Sequence, residues 1–284
     1  MRSNNPGHLD NILNLAIEED IGDGDHSSLA CIPAKKKGAS RLLIKEPGIL
    51  AGIEEAQAIF QKIDRRLKTQ TYLQDGDTIA RGDIAFQVEG RVQSILRAER
   101  LVLNIMQRMS GIATQTKCYA DKLEGLPTRV LDTRKTTPGL RSLEKKAVEL
   151  GGGVNHRMGL YDMIMLKDNH VDFAGGISQA IRKTLKYLQK KEMSLLIEIE
   201  VRNLGEVEEV LETGGIDRIM LDNFSLEDTR EAVEMIGGEF ETESSGGITL
   251  DTLREYAECG VDYISVGALT HHIKSLDMSL KAFH

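Results

Sequence analysis

From about residue 194 the chain repeats one pattern of apolar and polar positions: a short apolar run, a turn, then apolar residues spaced three and four apart. The apolar runs "LLIEIEV", "DRIMLDN", "EFETESS" and "VDYISVG" begin near 195, 217, 239 and 261 and read as strands. Between them "NLGEVEEVLETGG", "SLEDTREAVEMIGG" and "TLDTLREYAECG" have the spacing of amphipathic helices. Each ends at glycine, the residue that most easily takes the left-handed turn closing a helix. Upstream, "RVLDTRK" and "YDMIMLKDN" add two strands, with helices "LRSLEKKAVELGGG" and "ISQAIRKTLKYLQKK" after them. Strands alternating with helices at this pitch predict parallel βαβ units. About six strands are too few for a complete barrel, so the expectation is an incomplete, open parallel α/β barrel over residues 112–272.

Residues 1–111 are patterned differently. "SRLLIKEPGILAGI" and "DGDTIARGDIAFQVEGRVQSIL" carry strand-like segments broken by Gly and Pro, with the helix "GIEEAQAIFQKID" between them. A long apolar helix follows in "SILRAERLVLNIMQRMSG", with Ser94 as its expected N-cap and Gly111 as its expected stop. The prediction is an α/β protein: an N-terminal α+β domain, with residues 273–284 as a candidate addition to it, and then the barrel. No low-complexity linker separates the two.

Composition narrows the function classes. No apolar run approaches the ~20 residues that span a bilayer, and "MRSNNPGHLDN" has no signal-peptide core, so a cytoplasmic protein is expected. Cys31, Cys118 and Cys259 are odd in number and far apart, which argues against a disulfide framework or a cysteine zinc site. "EEDIGDGDHSS" lacks the EF-hand spacing. His170, His271 and His272 lack a third ligand at zinc spacing. A net charge of −8, from 44 acidic and 36 basic residues, leaves no broad basic face for nucleic acid.

One stretch departs from that acidity. "LDTRKTTPGLRSLEKKAVELGGGVNHRMG" carries Arg134, Lys135, Arg141, Lys145, Lys146 and Arg157 against Asp132, Glu144 and Glu149, with His156 beside them. A local cationic excess on an acidic chain suggests a small anion. Lys145 and Lys146, next to glutamate on a helix, read as a solvated face, with Arg141 the exception.

In a parallel barrel the site lies at the C-terminal ends of the strands. There the chain places Arg134 and Lys135, Lys167, Glu200, Asp222, Glu243 and Ser245, and Gly267. Any one charge at a strand end is ordinary, because strand ends meet solvent; so many on one rim point to chemistry. In "IEIEV" the period of two puts Glu198 and Glu200 on one face, which is costly unless cations meet them. "SSGGI" and "SVGAL" offer backbone N–H groups close to an anion. An anion cradle, central carboxylates and a cationic end predict two substrates, a phosphorylated Mg²⁺-chelating molecule and a small organic acid.

These same residues resemble a known family. "AERLVLNIMQRMSGIAT", "LDTRKTTPGLR", "GGGVNHRMGLYDMIMLKDNH", "LDN" and "ESSGGI" are similar, in the same order and over nearly the whole chain, to the quinolinate phosphoribosyltransferases. The resemblance implies a type II phosphoribosyltransferase-like fold and a Mg²⁺-dependent, decarboxylating transfer of phosphoribosyl to quinolinate in NAD biosynthesis. It also implies a homo-oligomer, either a dimer or a larger assembly of dimers. Carried over position by position, it gives Arg100, Thr133, Arg134, His156, Arg157 and Lys167 to quinolinate, with Arg100 reaching in from the neighbouring subunit. Lys135, Ser245, Gly246, Gly247 and Gly267 fall to phosphoribosyl pyrophosphate. Lys135, Glu200 and Asp222 are the expected catalytic residues, and Glu200 and Asp222 the expected metal carboxylates, directly or through water. Two rivals stay open on the sequence: a phosphoribosyltransferase for another heteroaromatic acid, and a non-catalytic nucleotide-binding protein of the same fold.

Overall fold

The structure is a computed structural model and describes residues 6–283. The chain divides into two compact units: Met1–Lys117 with Thr136–Gly152 and Ala268–His284, and Cys118–Lys135 with Gly153–Gly267.

The first unit opens with helices α1 (Pro6–Ile21) and α2 (His26–Cys31). Asp25 caps α2 by accepting the Ser28 N–H at 3.1 Å, a structural use of the acidic "DGDH" run. Strands β1 (Lys37–Ile44), β3 (Lys68–Thr71) and β5 (Ile84–Arg91) form an antiparallel sheet with the last strand, β12 (Met278–Phe283). β2 (Gly48–Ile49) pairs with β4 (Thr78–Ile79). Leu42, Ile44, Phe86 and Val88 are buried, as are Ile59 and Phe60 of α3 (Ile53–Ile63). Phe60 meets Phe86 edge-on at 5.7 Å between ring centroids. β3, "KTQT", is polar at every position, so no apolar alternation announced it.

Helix α4 runs from Val92 to Lys122, longer at both ends than expected. Ser94 lies inside it, buried, donating to Asp64 Oδ2 at 2.9 Å rather than capping an end. Gly111 does not stop it either. A Cβ at 111 would overlap the carbonyl of Lys274; the glycine is there for close backbone approach, not for a turn. Helix α5 (Arg141–Leu150) buries Leu143, Ala147 and Val148 together with Glu144 and Lys145. The expectation of a solvated lysine face therefore fails. Lys145 is inside, and Lys146 bridges Glu54 at 2.6 Å and Glu55 at 2.9 Å.

The second unit is a single sheet of six parallel strands: β6 (Arg129–Leu131), β7 (Ile164–Leu166), β8 (Ile197–Val201), β9 (Arg218–Asp222), β10 (Glu241–Ser245) and β11 (Tyr263–Ser265). Their spatial order is β6-β11-β10-β9-β8-β7, and β6 and β7 remain as edges, so the sheet does not close. Helices α6 (Asp168–Ala174), α7 (Ile177–Lys191), α8 (Leu204–Thr213), α9 (Leu226–Ile236) and α10 (Leu253–Ala257) lie between strands in sequence. Asn203 and Ser225 cap α8 and α9 as expected of such residues. Alternation sorts each strand. On one face Ile197, Ile199, Val201, Ile219, Leu221 and Ile264 are buried apolar groups. The other face is charged: the register sets Arg218 between Glu198 and Glu241, Met220 between Glu200 and Glu243, and Asp222 beside Ser245. The branched aliphatic residues that usually fill a parallel barrel are replaced here by ion pairs.

Candidate active site

The strand ends present the expected groups except Glu243, which lies in the middle of β10, fully buried against His156, because its register turns it into the sheet's charged inner face. Thr133, Arg134 and Lys135 follow β6; Lys167 follows β7; Glu200, Asp222 and Ser245 end β8, β9 and β10; Gly267 lies two residues beyond β11. Arg134, Lys135 and Lys167 are exposed, and the Lys135 N–H donates to Thr133 Oγ1 at 3.0 Å, folding that loop on itself.

Lys167 Nζ sits 2.8 Å from Glu200 Oε2. Asp222 is the second carboxylate of this group. Burial raises its pKa, and the nearby charge of Glu200 raises it further, against the pull of Asn223 and Lys167. Two carboxylates sharing one lysine, with a third, Asp168, close enough to act on Asp222, make a hard-oxygen donor set that fits Mg²⁺.

Beside Asp222 the backbone is built around a tight approach. Asn223 adopts φ +57°, donates its N–H to the Ser245 carbonyl at 2.8 Å and its Nδ2 to Asp222 Oδ2 at 2.7 Å. Gly246, at φ +99°, lies where a Cβ would overlap the Asn223 amide. Gly247 follows at φ +63° with open space around it. Successive glycines of this kind turn backbone N–H groups outward, the construction that suits a phosphate.

Arg157 is half-buried, and Asp162 closes its loop by accepting the N–H groups of Met158 and Gly159 at 2.7 and 2.8 Å. Its guanidinium pKa is lowered, first by burial and then by the positive charge of Arg134. Two guanidinium groups held near enough to repel each other suit a ligand with two carboxylates.

His156 is placed differently from an exposed donor. It is buried, with Nε2 2.8 Å from Glu198 Oε2 and 3.4 Å from Glu243 Oε2. Nδ1 accepts the Arg157 N–H at 2.6 Å, and the His156 backbone N–H donates to Asp132 Oδ1 at 2.8 Å. Burial opposes the imidazolium, but the two glutamates outweigh it and push the pKa up to about 9. Glu198 moves the other way from a free carboxylate, raised to about 7 by burial and by Glu243. Nε2 is the ring nitrogen turned to the two carboxylates, and Nδ1 is the acceptor that the Arg157 N–H requires. Arg218 Nη1, 3.4 Å from Glu243 Oε2, completes the charge balance.

Among the described residues His156, Glu198 and Glu243 are also the group whose possible metal-ligand atoms come within 4.8 Å of one another. His156 and Arg218 already lie against its two carboxylates, so the rim pair Glu200 and Asp222 fits a cation better. Glu198 and Glu200 share a face, as the period of two predicted; Glu200 meets Lys167 at the rim, Glu198 meets His156 within. Arg218, Asp132 and Asn223 were not singled out from the sequence, and only the inward register of Arg218 could have signalled one of them. Arg100 is exposed on α4. The three thiols are free, Cys31 and Cys118 exposed and Cys259 buried.

An open parallel barrel with paired carboxylates, a glycine anion cradle and clustered guanidiniums at its strand ends defines a site for joining two anionic small molecules. Two family models match the chain: Quinolinate phosphoribosyl transferase, N-terminal domain, over residues 25–110, and its C-terminal domain over residues 112–281. The chain belongs to the quinolinate phosphoribosyltransferase family. It is 46% identical over 288 residues, 96% of this chain and 82% of the relative, to decarboxylating quinolinate phosphoribosyltransferase 1b of Nicotiana tabacum. It is 40% identical to the probable carboxylating nicotinate-nucleotide pyrophosphorylase of Bacillus subtilis, covering 96% of this chain and 92% of that one. The crystal structure of NadC from Streptococcus pyogenes superposes with a TM-score of 0.93 at 39% identity and covers 99% of both chains.

Proposed function

We propose that the chain transfers phosphoribosyl from phosphoribosyl pyrophosphate to quinolinate and releases pyrophosphate and CO₂, leaving nicotinate mononucleotide. The observation that carries this reading is the match of both quinolinate phosphoribosyl transferase domain models over residues 25–110 and 112–281, joined to a cationic set in which Lys167 meets Glu200 at 2.8 Å and Arg157 is half-buried near Arg134. Arg134, Arg157 and Lys167 hold the two ring carboxylates, with Thr133 and the buried His156 behind them. Ser245, Gly246, Gly247 and Gly267 cradle the 5′-phosphate. Glu200 and Asp222 would hold Mg²⁺, directly or through water, and the cation would supply charge to offset that on the departing pyrophosphate.

In the reaction the pyridine nitrogen attacks the anomeric carbon as its bond to pyrophosphate breaks. Positive charge then spreads over the ribose, and a rim carboxylate, Glu200 or Asp222, stabilises it while Lys135 meets the leaving group. The resulting pyridinium draws in the electron pair released as the carboxylate beside nitrogen leaves as CO₂, and a proton takes that carbon. The protein works as a homo-oligomer, with Arg100 contributed in trans. A cytoplasmic location, tested by cell fractionation, belongs to the same reading; some plant relatives are named chloroplastic or mitochondrial.

Release of labelled CO₂ from quinolinate labelled in its 2-carboxylate tests the reaction. Release that requires both phosphoribosyl pyrophosphate and Mg²⁺ is expected. Turnover of nicotinate without quinolinate would move the assignment to a monoacid transferase, and silence with both would leave a binding protein.

A further inference from the structure

Glu198 and Glu243 are wholly buried, yet neither belongs to the substrate-holding set above. Burying two carboxylates a few ångströms apart is costly unless they perform a task or are fully paired, and the pairing here has a direction. Arg218 lies over the Tyr263 ring at 4.2 Å and reaches Glu243 at 3.4 Å. Glu243 and Glu198 together claim His156 Nε2. The other ring nitrogen takes the Arg157 N–H, and Asp132 takes the His156 N–H. The chain of contacts thus runs from the barrel interior to the backbone of Arg157, whose guanidinium donates to the Met163 carbonyl at 3.2 Å. His156 is the hinge pin of that chain, held on both ring edges and at its backbone.

Beyond the contacts to His156 and Arg218, Glu198 Oε1 and Glu243 Oε1 have no hydrogen-bond donor among the described residues. Such a network is not optimised for stability alone, since replacing a buried ion cluster with apolar groups is often neutral or stabilising. The metal-holding carboxylates, Glu200 and Asp222, take no part in it.

We infer that Glu243 and Glu198 are positioning residues for the dicarboxylate half of the site: through His156 they fix the 156–157 backbone and so the place of Arg157. This rests on Arg157 receiving quinolinate, the reading given above. It deepens that reading by separating two sets of barrel carboxylates, a rim pair for phosphoribosyl pyrophosphate and its cation and an inner pair for quinolinate.

The test uses the full-length enzyme and the near-isosteric variants Glu243→Gln and Glu198→Gln, each checked by thermal unfolding and native mass. Quinolinate binding is measured by calorimetry without the second substrate, and KM is measured for each substrate with the other saturating. The expected result is a loss of quinolinate affinity of about tenfold to a hundredfold, the range for misplacing a binding group, with KM for phosphoribosyl pyrophosphate essentially unchanged. Equal weakening of both substrates, unchanged quinolinate affinity, or failure of both variants to fold would each overturn the inference and leave the cluster a purely structural one. Wild-type enzyme run alongside separates the two claims: no quinolinate binding by the wild type refutes the functional reading itself.

Discussion

Lys167 and Glu200 form an ion pair of 2.8 Å across two neighbouring strand ends, with the lysine half-exposed and the glutamate nearly buried. In the proposed reaction the two serve different substrates, so the pair would join the quinolinate and pyrophosphate halves of the site. Glu200→Gln should therefore separate binding from chemistry. Removing the carboxylate frees Lys167 for a substrate carboxylate, so quinolinate affinity holds or improves. Transition-state stabilisation is lost, and kcat falls roughly a hundredfold to a thousandfold. Steady-state kinetics with quinolinate titration checks this; a variant that loses quinolinate binding while keeping kcat would contradict it.

Arg108 offers a stability prediction in the first unit. Its Nε and Nη2 donate to Glu144 Oε1 at 2.9 and 2.6 Å, while Glu144 Oε2 takes the Thr137 N–H at 3.1 Å. Glu144 is 1% exposed, so Arg108→Ala strands a buried carboxylate. A loss of about 3 kcal/mol is expected, the low end for breaking a buried pair because Arg108 keeps some contact with water. Urea unfolding of the variant gives the value, and Arg108→Met with Glu144→Gln should recover part of it.

How much of this was legible follows from period. The barrel strands and their helices switch between two residues and about three and a half, and they emerge with boundaries shifted by up to about four residues, the short helix α6 (Asp168–Ala174) aside. Rim residues followed, because parallel strands deliver their ends to one side. β3 was hidden because "KTQT" has no apolar face. α4 was cut short because Gly111 looks like a stop when only sequence neighbours are visible; its reason lies at Lys274, far along the chain. Lys145 was placed outside because burial of a lysine depends on a partner that no local pattern names. Arg218 needed the register, which sets it beside Glu198, and Asp132 needed the chain's return at 156, whose backbone N–H it accepts.

Gly111→Ala sets two effects against each other. Alanine favours an isolated helix by about 1 kcal/mol over glycine. The added Cβ, however, runs into the Lys274 backbone, and overpacking of that kind costs about 1–3 kcal/mol. The clash should win, since the obstacle is backbone rather than a side chain that can swing away. A lowered Tm is expected, and a raised one would show that residues 274–275 give way easily.

Asp64 predicts the acid limb of stability. The Arg66 guanidinium, aided by the Arg66 N–H and Ser94, holds its carboxyl well below the usual carboxylate range despite burial. A depressed folded pKa means that the unfolded chain binds the proton first. The stabilisation is thus fully present above about pH 4, the unfolded value, and is lost as pH falls toward the folded one. Asp64→Asn should lower stability at neutral pH by roughly 1 kcal/mol, discounted because Arg66 is largely solvated. It should also flatten the decline below pH 4. Unfolding midpoints measured from pH 6 down to acid, side by side with wild type, read both effects.

Arg100 makes the assembly testable. It is exposed on α4, far in sequence from the barrel loops, and its proposed role requires a second copy of the chain. Arg100→Ala alone should weaken quinolinate binding, and Lys135→Ala alone should cripple transfer at an intact quinolinate site. A mixed dimer holds one site with both defects and one with neither, so mixing the two impaired proteins should restore activity at low quinolinate. With random exchange about a quarter of the wild-type sites return, since half the dimers are mixed and each has one good site. Recovery near that level, with exchange verified by native mass, supports the shared site. No recovery after verified exchange means that Arg100 acts within its own subunit.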